Sequence, residues 1–411
     1  MTTTKLALQG GTPVRDRPFH GWPVFGEEEE SRLLQVFRSG KWWYGETVRE
    51  FERQFAAFQN AAYGVSCCNG TIALQIALAA VGIGPGDEVL VPAYTFIATA
   101  SAVYTVNAIP VFVDIDPDTW NMNLDEAEKA ITPRTRAIMP VHFFGLPVDM
   151  DRVNALARKH GLKVVEDAAH CWGSQWRGKG MGAWGDLGGV SLQMSKNITS
   201  GEGGIILTDN TEYAKYARSI SNCGREEHGQ WYDHAVIGGN YRLTELQAAI
   251  LLGQMTRLEE QTQRRAENAD YLTAKLADVP GIKTVRSDPR VTRRAWHGYG
   301  MRLISDEFGG LRRDKFIAAL QAEGVPASPC YLWPVYKNKG FLELKRKGEP
   351  GHWPFCDVEI DYGKVFCPAA ERLCADEAVV LPQQLLLGDR ADMDDVVQAI
   401  RKVQDLQHEL A

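Results

Sequence analysis

Apolar residues recur along the first two thirds of this chain in short blocks set between longer stretches that alternate every three or four positions. The blocks at 88–91, 110–113, 137–141, 162–165 and 205–208 have the length and all-round apolar character of strands buried on both faces. A further short strand is expected at 190–193. Between the blocks, 72–81, 124–131, 150–160 and 212–220 read as helices, the first of them apolar on nearly every side. Tyr94, Thr95 and Phe96 open another helix, and a first helix is expected near Ser31, after a Gly, Pro and charge rich arm over 1–30. A long helix runs from Leu243 into the 270s, with Leu246, Ile250, Leu251, Met255 and Leu258 spaced along one face.

Repeated strand–helix units predict an α/β fold with a mostly parallel sheet covered by helices. The break at Val279-Pro280-Gly281 begins a different texture, with fewer buried strands and more charged connections. Two parts are therefore expected: an arm and large domain over 1–262, and a smaller α+β domain over 263–411. No internal repeat or low-complexity tract interrupts them.

Composition narrows the class. Lys plus Arg is 45 against 52 for Asp plus Glu, giving a net charge of −7 with no basic tract, which argues against a nucleic-acid partner. The first residues lack the apolar core of a signal peptide and no stretch is long enough to span a bilayer, so a cytoplasmic location without a membrane partner is expected. Eight cysteines carry no Cys-x-x-Cys or His-rich spacing, so no metal site is expected and the thiols read as reduced packing residues. Cys171 alone lies close enough to the candidate chemistry below to be a target for oxidation.

That chemistry lies between Glu166 and Gly204. Asp167 follows an apolar strand at its carboxyl end, the place where ligands bind in open α/β sheets. A buried carboxylate needs a cationic partner, and a protonated pyridine nitrogen suits it. Lys196 comes just past the next strand; partly desolvated, its amine could form a Schiff base with an aldehyde. The pair is read as holding the two ends of pyridoxal phosphate. Gly70 and Thr71, in Cys-Cys-Asn-Gly-Thr before an apolar helix, supply backbone N–H groups and a helix dipole for its phosphate. Phe96 offers a flat face for a heteroaromatic ring. His142 and Phe143 end a strand and are expected to face the pocket. Trp42, Trp43 and Tyr44, bounded by Gly40 and Gly45, read equally well as a substrate entrance or as an aromatic anchor. Each residue alone has a commoner role, as a surface lysine, a helix cap or a core aromatic; their coincidence carries the reading. A nicotinamide enzyme is disfavoured, because Gly201-Glu202-Gly203-Gly204 lacks the Gly-x-Gly-x-x-Gly spacing and precedes a strand.

Asn-Gly-Thr-Ile-Ala-Leu (69–74), Gly-Pro-Gly-Asp-Glu-Val-Leu-Val-Pro-Ala-Tyr-Thr-Phe-Ile-Ala-Thr (84–99), Pro-Val-Phe-Val-Asp-Ile-Asp (110–116), Glu-Asp-Ala-Ala-His (166–170), Ser-Lys-Asn-Ile-Thr-Ser-Gly-Glu-Gly-Gly (195–204) and Gly-Asn-Tyr-Arg-Leu-Thr-Glu-Leu-Gln-Ala-Ala (239–249) stand in family order. With weaker matches at Trp296-His297-Gly298-Tyr299 and 331–337, the chain resembles the DegT/StrS-type sugar aminotransferases, which are fold type I pyridoxal phosphate enzymes. The resemblance implies that Lys196 forms the internal aldimine, Asp167 bonds the pyridine nitrogen and Phe96 stacks on the ring. It implies that Gly70, Thr71 and Ser191 hold the phosphate, and that Asn240 reaches the phosphate of a neighbouring subunit in a homodimer with shared sites. His170 would bond the ring hydroxyl where many members have Gln. That His is similar to the branch making 3-amino-5-hydroxybenzoate, whereas the N-terminal segment and the 293–299 segment are closer to the branch aminating scyllo-inosose. Tyr44 and His297 are the candidates for binding substrate. The implied activity is ping-pong amino transfer from glutamine or glutamate to a keto-sugar or keto-cyclitol. A dehydrating lyase on the same cofactor and a non-catalytic regulator of the same fold are the rivals.

Overall fold

A computed structural model describes residues 5–227, 229–344 and 360–410. The central sheet takes β1 (Tyr63–Cys67), β2 (Glu88–Pro92), β3 (Ile109–Val113), β4 (Thr135–Ile138) and β5 (Lys163–Asp167). A small hairpin of β6 (Gln175–Trp176) and β7 (Lys179–Gly180) intervenes before β8 (Leu187–Ser191) and β9 (Gly204–Thr208) complete it. The strands lie in the order β1-β9-β8-β5-β4-β2-β3. From β3 to β8 every pairing is parallel; β9 runs against both of its neighbours. The expected mostly parallel sheet is present, and β9 is reversed because the short link carrying Lys196 contains no crossover helix.

Eight helices accompany this sheet: α1 (Glu27–Ser39), α2 (Glu46–Phe58), α3 (Gly70–Ala80), α4 (Ala98–Thr105), α5 (Leu124–Lys129), α6 (Met150–His160), α7 (Thr211–Ser221) and α8 (Glu245–Leu276). Strand side chains alternate between two cores. Val89, Val91, Val165 and Ile206 pack with α3, α4 and α7 on one face. Leu90, Val164, Ile205 and Leu207 pack with α2, α6 and α8 on the other. This parity decides where the polar residues at the strand ends go.

Several elements depart from expectation. The helix after β2 begins at Ala98, past Phe96, so Phe96 lies in the connection. The strand expected at 190–193 is Leu187–Ser191, ended before Gln193. Helix α2 and strand β1 were not foreseen, although Val48, Phe51 and Phe55 mark one buried face of α2 at helical spacing.

The C-terminal part contains an antiparallel sheet of β10 (Ile282–Thr284), β12 (Gly298–Leu303) and β13 (Ala378–Pro382), in the order β10-β12-β13. Helices α9 (Arg313–Ala322) and α10 (Arg390–Asp405) pack on it around Phe316, Leu320, Val396 and Ile400. The N-terminal arm is tied to this part: Leu6 is buried in its core, and the Glu323 carboxylate accepts the N–H groups of Ala7 and Val14 at 2.8 and 3.0 Å. Helix α8 passes unbroken through residue 262. A short β11 (Val291–Arg293) pairs with β6, carrying a C-terminal segment onto the large sheet's loops.

Candidate active site

The carboxyl ends of β2, β5 and β8 open into one cavity of about 760 Å³, room enough for a cofactor and a small substrate. Gly70, Thr71, Ser191 and Phe96 line it, as do Asp167, His170, Lys196 and His297. Eight of the ten candidate side chains thus meet in one place.

One end of the cavity is built for an anion. Asn69 caps α3, its carboxamide oxygen accepting the Ile72 N–H at 2.9 Å, and the helix's own bonding starts with Ala73 N to Asn69 O. The helix ladder therefore leaves the N–H groups of Gly70 and Thr71 unused. Helix and strand approach so closely that a Cβ on residue 70 would stand 2.7 Å from the Ser191 Cβ, which requires glycine there. Phe96, 57% exposed, presents its ring at the cavity edge.

Asp167 sits deeper, 5% exposed, on the face shared with Val165. Its Oδ2 accepts the Thr99 hydroxyl at 2.6 Å and its Oδ1 accepts the Ala169 N–H at 3.1 Å. Thr99 in turn pairs with the Thr95 hydroxyl at 2.9 Å. Burial raises the Asp167 pKa above its ordinary value, and the two donors with the nearby Lys196 charge do not offset it. Among the described residues the carboxylate has no cationic hydrogen-bond donor, and a protonated ring nitrogen in the cavity fits that need.

Lys196 lies in the β8–β9 link, a loop held by its own backbone. Leu192 N bonds Gly203 O at 2.9 Å, Met194 N bonds Gly201 O at 2.9 Å, and Lys196 N bonds Gln193 O at 2.9 Å. Gly201 turns the chain at φ +84°, a conformation that favours glycine. Burial lowers the Lys196 amine to about 8, against the opposing pull of Asp167. About a tenth of it is then the free, nucleophilic amine at pH 7, far more than for an ordinary lysine.

His170 and His297 complete the wall, their ring centroids 4.4 Å apart. Nδ1 of His170 accepts the Phe144 N–H at 3.3 Å. Burial, then the Lys196 charge, holds the His170 imidazole well below its usual pKa and so neutral. His297 arrives from the C-terminal part through the β11–β6 pairing, fixed by Ala295 N to Ser174 Oγ at 3.0 Å. Neighbouring Tyr331, also from that part, lines the cavity.

Other candidates lie elsewhere. The Tyr44 hydroxyl meets Arg218 and Glu52, outside the cavity of its own chain, in the manner of an anchor. Asn240 is exposed and bridges Asn222, also apart from Lys196. His142 does not face the pocket: it shares the parity of Ile138 and donates from Nε2 to Glu166 at 3.0 Å while its Nδ1 accepts the Val148 N–H. Phe143 packs among Tyr94, Trp120 and Phe144. Cys171 is buried and its thiol is pushed well up by burial, which corrects the expectation of easy oxidation. Sequence reasoning gave Thr99 no role, although it closes the 84–99 motif and follows Thr95 by one helical turn. Among the described residues no helix is long and apolar enough to cross a membrane, and no cluster of metal-ligating side chains occurs.

The chain is similar to several known proteins. An L-glutamine:2-deoxy-scyllo-inosose aminotransferase of Streptoalloteichus tenebrarius is 36% identical over 421 residues, covering 97% of each chain. The crystal structure of a 3-amino-5-hydroxybenzoic acid synthase superposes with a TM-score of 0.86 at 32% identity, over 96% of this chain and all of the other. A Bacillus subtilis protein, NtdA, crystallised with its cofactor PMP bound, gives a TM-score of 0.80 at 26% identity, over 95% of this chain and 86% of that one. The family profile matches residues 23–401, and on this extent the chain belongs to the DegT/DnrJ/EryC1/StrS aminotransferase family.

Proposed function

We propose that this chain is a pyridoxal-phosphate-dependent aminotransferase that moves an amino group from glutamine or glutamate to a keto-sugar or keto-cyclitol. One observation carries the reading: a buried, cation-seeking carboxylate and a lysine with a depressed pKa line a single cavity. Pyridoxal phosphate, when bound, supplies an electron sink and carries the amino group between the two substrates. Lys196 would hold its aldehyde end, and the free lysine amine would serve as the base for the proton on the donor's α-carbon and, once protonated, as the general acid. Asp167 would keep the ring nitrogen protonated, Phe96 would offer its face to the ring, and Gly70, Thr71 and Ser191 would hold the phosphate. With Nδ1 of His170 occupied by a donor, its proton resides on Nε2 and is available to the ring hydroxyl.

Asn240 is assigned to the phosphate of a neighbouring copy, which makes the enzyme a homodimer with two shared sites. A cytoplasmic location agrees with the free cysteines among the described residues. The division near residue 262 is retained as an organisational boundary, inside α8.

The test uses L-glutamine with a panel of keto-sugars and inososes. Borohydride reduction of the holoenzyme should fix the cofactor on Lys196, and glutamine alone should convert the bound cofactor to its amine form. Retained turnover in Lys196→Ala refutes the assignment. Mixing inactive Lys196→Ala and Asn240→Ala homodimers should restore part of the activity, because one site of the mixed dimer is intact; a fully active monomer would contradict the sharing. The likeness to a 3-amino-5-hydroxybenzoic acid synthase supports a second reading, dehydration of a ring ketone to an aromatic product. It uses the same residues, and an aromatic ultraviolet product formed without an amino donor would establish it. A regulator without catalysis would show no half-reaction with any amino acid.

A further inference from the structure

His170 and His297 lie nearly face to face, their planes 30° apart, yet they reach the cavity from different parts of the chain. Their hydrogen bonds fix opposite tautomers. Nδ1 of His170 accepts from a backbone N–H, so this neutral ring keeps its proton on Nε2. Nδ1 of His297 faces Asn197 Oδ1 at 3.1 Å. Asn197 is 1% exposed and its Nδ2 donates to Ala295 O at 2.8 Å. Flipping the amide would set its oxygen against that carbonyl, so Oδ1 must be the acceptor and Nδ1 of His297 must carry the proton. Burial and the Lys196 charge keep His297 neutral. Its Nε2 therefore carries a lone pair, on a ring that lines the cavity, and has no hydrogen-bond partner among the described residues.

We infer that Nε2 of His297 accepts a hydrogen bond from one hydroxyl of the acceptor ketone, and that this contact selects ring ketones carrying that hydroxyl over analogues lacking it. The assignment rests on the activity proposed above. A lone pair is satisfied only by a hydrogen-bond donor, here cavity water or a group of the bound substrate. An amino donor offers protons only on its amino group, which is taken up in the transfer, and in glutamine on its side-chain amide, whereas a sugar or cyclitol ketone carries several hydroxyls beside its carbonyl. A ketone lacking the hydroxyl at that position displaces water from Nε2 and gives nothing back, the situation in which enzymes discriminate most sharply. His170, with the opposite tautomer, cannot substitute for it, because its exposed nitrogen donates.

The experiment compares kcat/KM for a polyhydroxylated cyclohexanone and its analogues lacking one hydroxyl next to the carbonyl, in the cofactor-loaded wild type and in His297→Phe and His297→Gln. The wild type should prefer the hydroxylated ketone by roughly tenfold or more against one of the analogues. In His297→Phe that ratio should fall to near one through loss on the hydroxylated ketone, and in His297→Gln the amide oxygen should recover part of it. The half-reaction with L-glutamine in each variant reports separately on a folded, loaded site. If His297→Phe does not take up cofactor, Asn197→Leu asks the same question, since it frees the ring to change tautomer and the ratio must again fall. An unmoved ratio in a variant that completes the glutamine half-reaction overturns the role of His297 alone. A wild type that completes the half-reaction but aminates no ring ketone refutes the proposed activity, and this contact with it.

Discussion

Glu166 and Asp167 are adjacent, both buried, and opposite in character. Glu166 points with Val164 toward the α2 and α6 side, where it accepts from His142 and from the N–H groups of Gly182, Trp184 and Gly185 at 2.7–3.0 Å. Burial works to raise its pKa, but those donors outweigh it and the carboxylate is held below its ordinary value. Asp167 points with Val165 toward α3 and α4, receives two donors, and is pushed the other way. Four donors make a structural carboxylate that folds the glycine-rich loop over 178–185. Two make one that is complete only when a cation is brought to it. The number of donors, and not burial, separates an architectural acid from a chemical one.

Replacing the lysine that faces Asp167 should have the largest effect: Lys196→Ala loses turnover by more than about 10⁴-fold in a steady-state assay and no longer retains cofactor after reduction and denaturation. Asp167→Asn should follow, lowering kcat by roughly 10² to 10⁴-fold while glutamine binding changes little. Glu166→Ala should reverse the pattern. It leaves His142 and three N–H groups buried without an acceptor, so denaturant unfolding should show a loss of about 3–5 kcal/mol, with a much smaller change in kcat of the protein that remains folded. Gly70→Ala, which crowds Ser191, should weaken retention of pyridoxal phosphate by roughly tenfold in equilibrium dialysis.

The smallest effect is on stability against pH, and its sign differs between the two acids. Glu166 has a folded pKa below its usual 4.5, so its stabilisation is present above 4.5 and is lost as pH falls beneath it. Asp167 has a folded pKa above its usual 3.8, so it binds more protons when folded and costs stability as pH rises through that interval. Cofactor-free Asp167→Asn should accordingly melt slightly above cofactor-free wild type at pH 7. Loading with pyridoxal phosphate should reverse the order; a wild type that stays the less stable after loading would remove the cation argument.

Much of this was legible in the chain because the informative residues sit at the ends of apolar blocks. Asp167 is read from the strand before it, Gly70 and Thr71 from the helix after them, and Lys196 from the link between two strands. The direction of His142 was not legible without the pairing of β4 and β5, which fixes which face position 142 joins. His297 and Glu166 depend on nonlocal contacts: the two-residue β6 is too short to carry a pattern, yet its pairing with β11 brings position 297 to the site. Helix α2 was not legible at its start because Gly45 supplies no capping side chain, which leaves only the spacing of Val48, Phe51 and Phe55 to mark it.

Helix α8, unbroken over 32 residues, is a rod of about 48 Å. At its start the Glu245 carboxylate grips the N–H groups of Gly45, Thr47 and Val48. Farther along, Arg265 holds Gln383, and Asn268 holds the carbonyls of Leu386 and Gly388. A strut clamped in this way to the start of α2 and to the turn after β13 is held in both parts of the chain and cannot serve as their hinge. Any tightening around a bound substrate must be taken up in the connections on either side of β11, so spin labels at two exposed positions along α8 should keep their separation while a label on β11 changes its distance to β8.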